Sequence, residues 1–199
     1  LQEMASGTGP RIATSRIRLR APWVPHQAQL LGAIAQPNGC RAILVHRRGL
    51  AVLVGETSDV RHVTETFASV NRQRDWFMRN SPGARAARKF DETSAYRRSF
   101  QLSYAAEVGR LMAEAVKTTD STDSAHRGAR GAAETGLPAL NRREVAVADA
   151  FRRMFPRTSA MSLSSRHPGG HTDGRDAAHN SKLGPDQEAG LAGRRALSR

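Results

Sequence analysis

The chain has a single cysteine, Cys40, so no internal disulfide can form and the fold does not depend on an oxidising compartment. A cytoplasmic setting is therefore expected. No run approaches the roughly 18 apolar residues that a membrane helix needs, and the start lacks the basic-then-apolar pattern of a secretory signal, so no membrane partner is expected. Lysine occurs only at Lys89, Lys117 and Lys182, and aromatic residues make up 5% of the chain against 39% for all hydrophobic types. With so little apolar material, a core has to be concentrated in part of the chain. Nothing in the sequence has the form GxxxxGK[ST], GxSxG, or GxGxxG opening a helix, which leaves phosphate-cradling loops and a serine elbow without support. No cofactor is expected.

What is abundant is arginine. The formal net charge is +13 and the pI about 11.5, a balance that suits a polyanionic partner such as nucleic acid. A plainer origin competes with it. Arginine, alanine and glycine together are what GC-rich coding yields, and the excess is spread along the chain: 17 basic and 9 acidic residues precede Val116, and 14 and 9 follow from there.

Length allows one domain with tails, since 199 residues fall near the size of a single domain. Residues 1–10 read as disordered, and the opening Leu1 suggests a product whose true start lies upstream. From Arg16 to Arg20 the sequence RIRLR alternates, which in a strand sets Arg16, Arg18 and Arg20 on one face and Ile17 and Leu19 on the other. Pro22 and Pro25 end it, and Pro25 suits the first turn of a helix carrying Leu30, Leu31 and Ile34, stopped by Pro37, Asn38 and Gly39. Two apolar runs, Ala42 to Val45 and Leu50 to Val54, flank His46, Arg47, Arg48 and Gly49 and predict a β-hairpin. Thr57, Ser58 and Asp59 offer cap oxygens to a helix whose Val60, Val63, Phe67 and Val70 form one stripe. After a turn at residues 80–83, Thr93 and Ser94 lead into a longer helix with Phe100, Tyr104, Val108, Leu111 and Ala115 on one face.

The expected architecture is thus an α+β domain over residues 11–116, a hairpin-centred sheet of two or three strands covered by amphipathic helices. Residues 117–137, nearly devoid of large apolar side chains, read as a flexible linker. A short helical segment follows at 138–156: Asn141 and Glu144 suit a capping box, Leu140 and Val145 its hydrophobic staple, and Val147, Phe151 and Met154 a buried side. Residues 157–199 read as a largely disordered basic tail.

Three stretches, APWVPHQAQLLGAIAQPNGCRAILV, LAVLVGETSDVRHVTETFASV and YRRSFQLSYAAEVGRLMAEA, resemble an uncharacterised actinobacterial and phage family, domain of unknown function 2786 with its C-terminal companion domain. LPALNRREVAVADAFRRMFPR and GRDAAHNSKL look like the same family's end. Together they span about half to two-thirds of the chain, without the helical segment with which members usually begin, as in an N-terminally truncated copy. The resemblance implies a fold boundary and no catalytic residue.

Four groups of residues invite a function. His167, His171 and His179 with Asp173 and Asp176 are chemically able to bind a metal, yet HPGGH reads as a glycine-rich loop, not a helix face that aims two imidazoles together. A metal-dependent hydrolase built on them is the alternative function; an inactive remnant is another. Cys40 near His46 has the residue types of a thiolate nucleophile and its base, but its place beside an apolar strand makes it a core residue. Glu107 and Glu114 lie two turns apart on the long helix and read as a solvated face. Most weight falls on Arg16, Arg18, Arg20, Arg47, Arg48, Arg85, Arg88 and Lys89, joined by Arg72, Arg74 and Arg79, as phosphate-binding residues of a non-enzymatic nucleic-acid-binding accessory protein, with Trp23 and Trp76 available for stacking.

Overall fold

A computed structural model describes residues 11–45, 48–86, 90–128 and 136–183, with backbone alone at 90, 119–128 and 136–141. Strand β1 (Ile12–Arg18) pairs antiparallel with β3 (Leu50–Glu56), which pairs antiparallel with β2 (Arg41–Val45), in the order β1-β3-β2. The predicted sheet therefore has three strands, with β1 at one edge. Its alternation begins earlier than RIRLR suggests, and Leu19 and Arg20 lie just past the strand end. Gly49, at φ +57°, takes the left-handed backbone that the hairpin turn demands, and its carbonyl accepts the Leu19 N–H at 2.9 Å.

Register sorts the side chains. Ser15, Leu53 and Ala42 align across the sheet, as do Ile17, Ala51 and Leu44. That face meets helix α1 (Val24–Ala35) and helix α2 (Thr57–Asn80), against which the long helix α4 (Phe90–Gly128) packs in turn, and among them Leu30, Leu31, Ile34, Val63, Val70, Phe100, Tyr104 and Val108 are fully buried. Pro25 sits in the first turn of α1 as expected, and Gly109 lets α4 approach α1, since a Cβ there would meet Ala33 Cβ at 3.2 Å. On the opposite face Val54 is also buried, and helix α5 (Gly136–Met154) packs on β3 with its buried Val147, Ala148 and Ala150. Arg143 ties α5 down by ion pairs to Glu56 and Asp59.

Several sequence expectations change. Helix α2 is capped by Glu56 without a side-chain hydrogen bond; Thr57 is already helical and spends its N–H and hydroxyl on the Arg11 carbonyl, both at 3.1 Å. Helix α4 continues to Gly128 across the first part of the polar stretch read as a linker, an extension of a helix already nucleated and packed further back. Helix α5 starts at Gly136, so Asn141 lies within it rather than at its cap; Val145 and Met154 are exposed, at 59% and 42%, and do not belong to its buried side.

The largest correction concerns residues after 157. Helix α6 (Pro168–His179) stands where a disordered tail and a glycine-rich loop were expected, and it packs along α4 more extensively than any other two elements touch. Its buried residues are Gly170, Gly174, Ala177 and Ala178. A Cβ at Gly170 would collide with the Tyr96 carbonyl, and one at Gly174 with Ser103 Oγ and the Phe100 carbonyl. Small residues thus buy close backbone approach instead of an apolar ridge, which is why a search for large hydrophobics passes this helix by. His167 supplies the N-cap, its Nδ1 accepting from Gly170 N at 3.1 Å, while its own N–H donates to Ser99 Oγ at 2.7 Å. Between α2 and α4, the short helix α3 (Pro82–Ala86) seats against α6 through Gly83, whose N–H donates to Asp173 Oδ2 at 3.1 Å.

Candidate nucleic-acid interface

The sheet face that carries Val54 also carries the arginines of β1. Arg16 aligns with Val52 and Ile43, Arg18 with Leu50 and Val45, and Thr14 with Val54 and Arg41. Arg16, Arg18 and Arg41 are exposed, while Ile43, Val45, Leu50 and Val52 between them are half-buried. Arg16 and Arg18 are two residue steps apart along the strand, so their Cα atoms are about 7 Å apart, and about 10 Å separates the two outer strands. Arg20 follows, exposed, with its backbone clamped by Gln27: its N–H donates to Gln27 Oε1 at 3.2 Å and its carbonyl accepts from Gln27 Nε2 at 2.6 Å. Arg48 is exposed at the hairpin turn. Half-buried Trp23, edge-on to His26, precedes α1, whose Val24 approaches Gly49.

Arginines elsewhere are engaged differently. Arg74, 1% exposed, is a core residue and not part of any surface; its Nε and Nη2 donate to Asp75 Oδ1 at 3.2 and 2.7 Å. Arg110 bridges Glu107 and Glu114, Arg143 holds Glu56 and Asp59, and Arg152 pairs with Asp149. Arg79 donates to the Asp75 carbonyl at 3.0 Å. By contrast, Arg16, Arg18, Arg41 and Arg48 have no carboxylate partner among the described residues. Arg85 is exposed on α3, which packs on α2, α4 and α6 and stands apart from the sheet. His46, Arg47, Arg88 and Lys89 lie outside the described residues. Trp76, near the end of α2, makes an edge contact with Phe77 and does not join Trp23. Arg41 was missed because β2 was begun at Ala42; including the residue after Cys40 would have shown its alternation with Ile43.

The other candidates separate. On α6, His167 caps the helix, His179 Nε2 lies 2.8 Å from Glu107 Oε1, and Asp173 accepts from Tyr96 Oη at 2.7 Å, so the tail histidines and aspartates are dispersed over different neighbours. No three His, Cys, Asp or Glu side chains among the described residues come together as a metal site. Cys40 is buried, and desolvation pushes its thiol up to about 11, away from a reactive thiolate. Glu107 is not on a solvated face: it is buried between α4 and α6, with Arg110 foremost, then His179 and Arg175, holding its carboxyl below the ordinary range against the cost of burial. No helix among the described residues is long and apolar enough to cross a membrane. In comparisons with family models, curated proteins and solved structures, nothing matches this chain.

Proposed function

We propose that the chain is a non-enzymatic nucleic-acid-binding protein that holds phosphates on the arginine-bearing face of its sheet, beside helix α5. One observation carries this: Arg16, Arg18 and Arg41 stand on a common face, exposed, without a carboxylate partner among the described residues. A guanidinium with no internal partner keeps its full fork of donors for a phosphate, and anchoring on strands limits the freedom lost when it binds. Arg20 and Arg48 extend the same charge toward the hairpin end, where Trp23 offers a ring. The strands of this face carry aliphatic side chains and no aromatic one among the described residues, which favours contact with the backbone over stacking readout, and so binding tolerant of sequence.

Fluorescence anisotropy with single- and double-stranded oligonucleotides tests the proposal. Affinity should fall steeply with salt, and Arg16→Ala with Arg18→Ala should reduce the slope of log K against log salt by about 1.4 for a single strand or 1.8 for a duplex. An unchanged slope in a folded double variant, or no binding at low salt, sinks the proposal.

A further inference from the structure

We infer that a cavity between the end of α2 and α6 takes the cationic head of a small alkylamine or alkylguanidine. The cavity holds about 260 Å³ and is lined by Trp76, Phe77, Pro82 and Ala177 on its apolar side and by Asp173, Asp176, Asn80 and Asn180 among its polar residues. That volume is below the usual range for drug-sized ligands and suits a short chain with a charged end.

Its polar lining consists mainly of acceptors. Asp173 spends Oδ2 on Tyr96 Oη and on the Gly83 N–H, which fixes the carboxylate in place while Oδ1 has no protein partner among the described residues. Asp176 uses only its backbone carbonyl, toward Asn180, and its carboxylate has no cation partner among the described residues. Asn80 and Asn180 each turn an amide N–H back on their own helix, to the Trp76 carbonyl and the Asp176 carbonyl, both at 2.7 Å, and leave the amide oxygen uncommitted. Ser81 Oγ is taken up by Tyr96 Oη. In a chain of net charge +13, this cavity is lined by two carboxylates without an ion-pair partner among the described residues and by no arginine or lysine.

Trp76 completes the chemistry. It is 40% exposed at the cavity wall, and an indole is the side chain whose face best attracts a cation. The ligand's charge would sit against the carboxylates and indole, and its methylenes against Phe77, Pro82 and Ala177. A neutral ligand would bring no charge to two carboxylates, and an anion would be repelled. None of the sheet arginines lines this cavity, so the inference stands apart from nucleic-acid binding.

The test uses the full chain with Trp23→Phe, so that Trp76 is the sole indole, titrated with agmatine, putrescine, neutral 1,4-butanediol and CaCl2. Agmatine and putrescine should change the emission saturably, and butanediol should not. Asp176→Asn, which removes an exposed carboxylate with no fold-holding bond, should weaken the response by about 10-fold, the equivalent of about 1.4 kcal/mol; Asp173→Asn should abolish it, with its melting temperature followed because Tyr96 and Gly83 exchange a charged acceptor for a neutral amide oxygen. Arg16→Ala with Arg18→Ala should leave the response intact. No saturation up to about 10 mM, the range of a ligand held by only a few kcal/mol, overturns the inference. So does an equal response in Asp176→Asn, or a response to calcium without one to agmatine.

Discussion

The contact between α4 and α6 makes opposing demands on one substitution, Gly174→Ala. In the interior of an exposed helix, alanine is about 0.8–1.0 kcal/mol more favourable than glycine. At Gly174 the added methyl would lie well inside 3.0 Å of both Ser103 Oγ and the Phe100 carbonyl. Ser103 cannot simply swing away, because it is buried and its hydroxyl donates to the Ser99 carbonyl at 3.0 Å or the Phe100 carbonyl at 3.1 Å; the Phe100 carbonyl belongs to the α4 backbone. Relief requires α6 to move off α4, at an overpacking cost of about 1–3 kcal/mol or somewhat more for a backbone clash. The net expectation is destabilisation by about 1–2 kcal/mol, a fall in melting temperature of about 2–8 °C for a domain of this size. Gly169→Ala is the internal control, since its Cβ would meet only the His167 ring, Cε1 at 3.5 Å and Nδ1 at 3.7 Å, both ordinary contacts. Urea denaturation of both variants measures the difference. If Gly174→Ala were as stable as Gly169→Ala, the packing of α6 against α4 described above would be wrong.

Three other outcomes follow from named groups. Burial first, then Arg74 and Arg98, pushes His26 from 6.5 down to about 4; the unfolded chain therefore binds the proton first, and stability present above about pH 6.5 should be lost progressively toward pH 4, by at most about 3 kcal/mol. Urea midpoints across that range should flatten in His26→Gln, and an identical slope in that variant would assign the effect elsewhere. Arg143→Ala removes the link from α5 to Glu56 and Asp59; because the guanidinium is a third exposed, the loss should be no more than about 1 kcal/mol, visible as faster amide exchange in α5 ahead of the sheet. Arg41→Ala should weaken oligonucleotide binding and lower the salt slope by about 0.7–0.9, as one phosphate contact fewer, with an unchanged melting temperature.

Period and punctuation carried most of the fold. The hairpin was legible because two apolar runs flank a glycine able to adopt positive φ, and α1 because Pro25 and the Pro37-Asn38-Gly39 stop bracket three large aliphatics. Such signals come from local sterics and from the water-excluding size of side chains. Helix α6 sends neither. Its packing rests on the absence of side chains at Gly170 and Gly174, which in sequence is indistinguishable from a flexible loop until Ser99, Ser103 and Phe100 of the receiving helix are set beside it. The cavity at Trp76 was equally hidden, because its two carboxylates come from α6 and its indole from α2, nearly a hundred residues earlier. For the sheet face, alternation found Arg16 and Arg18, while pairing across β3 was needed to add Arg41.

The late position of α6 sets an order on synthesis. When a growing chain has delivered β1 through α4, the sheet and four helices can associate, yet the side of α4 bearing Ser99, Phe100 and Ser103 has no cover until residues 168–179 emerge. Contacts across some 70 residues of sequence form slowly, and apolar surface left waiting for them invites association with other chains. A nascent or prematurely ended chain lacking α6 should therefore be a client of chaperones. Among the described residues the latest helix in the chain, composed largely of small and polar residues, is what covers α4.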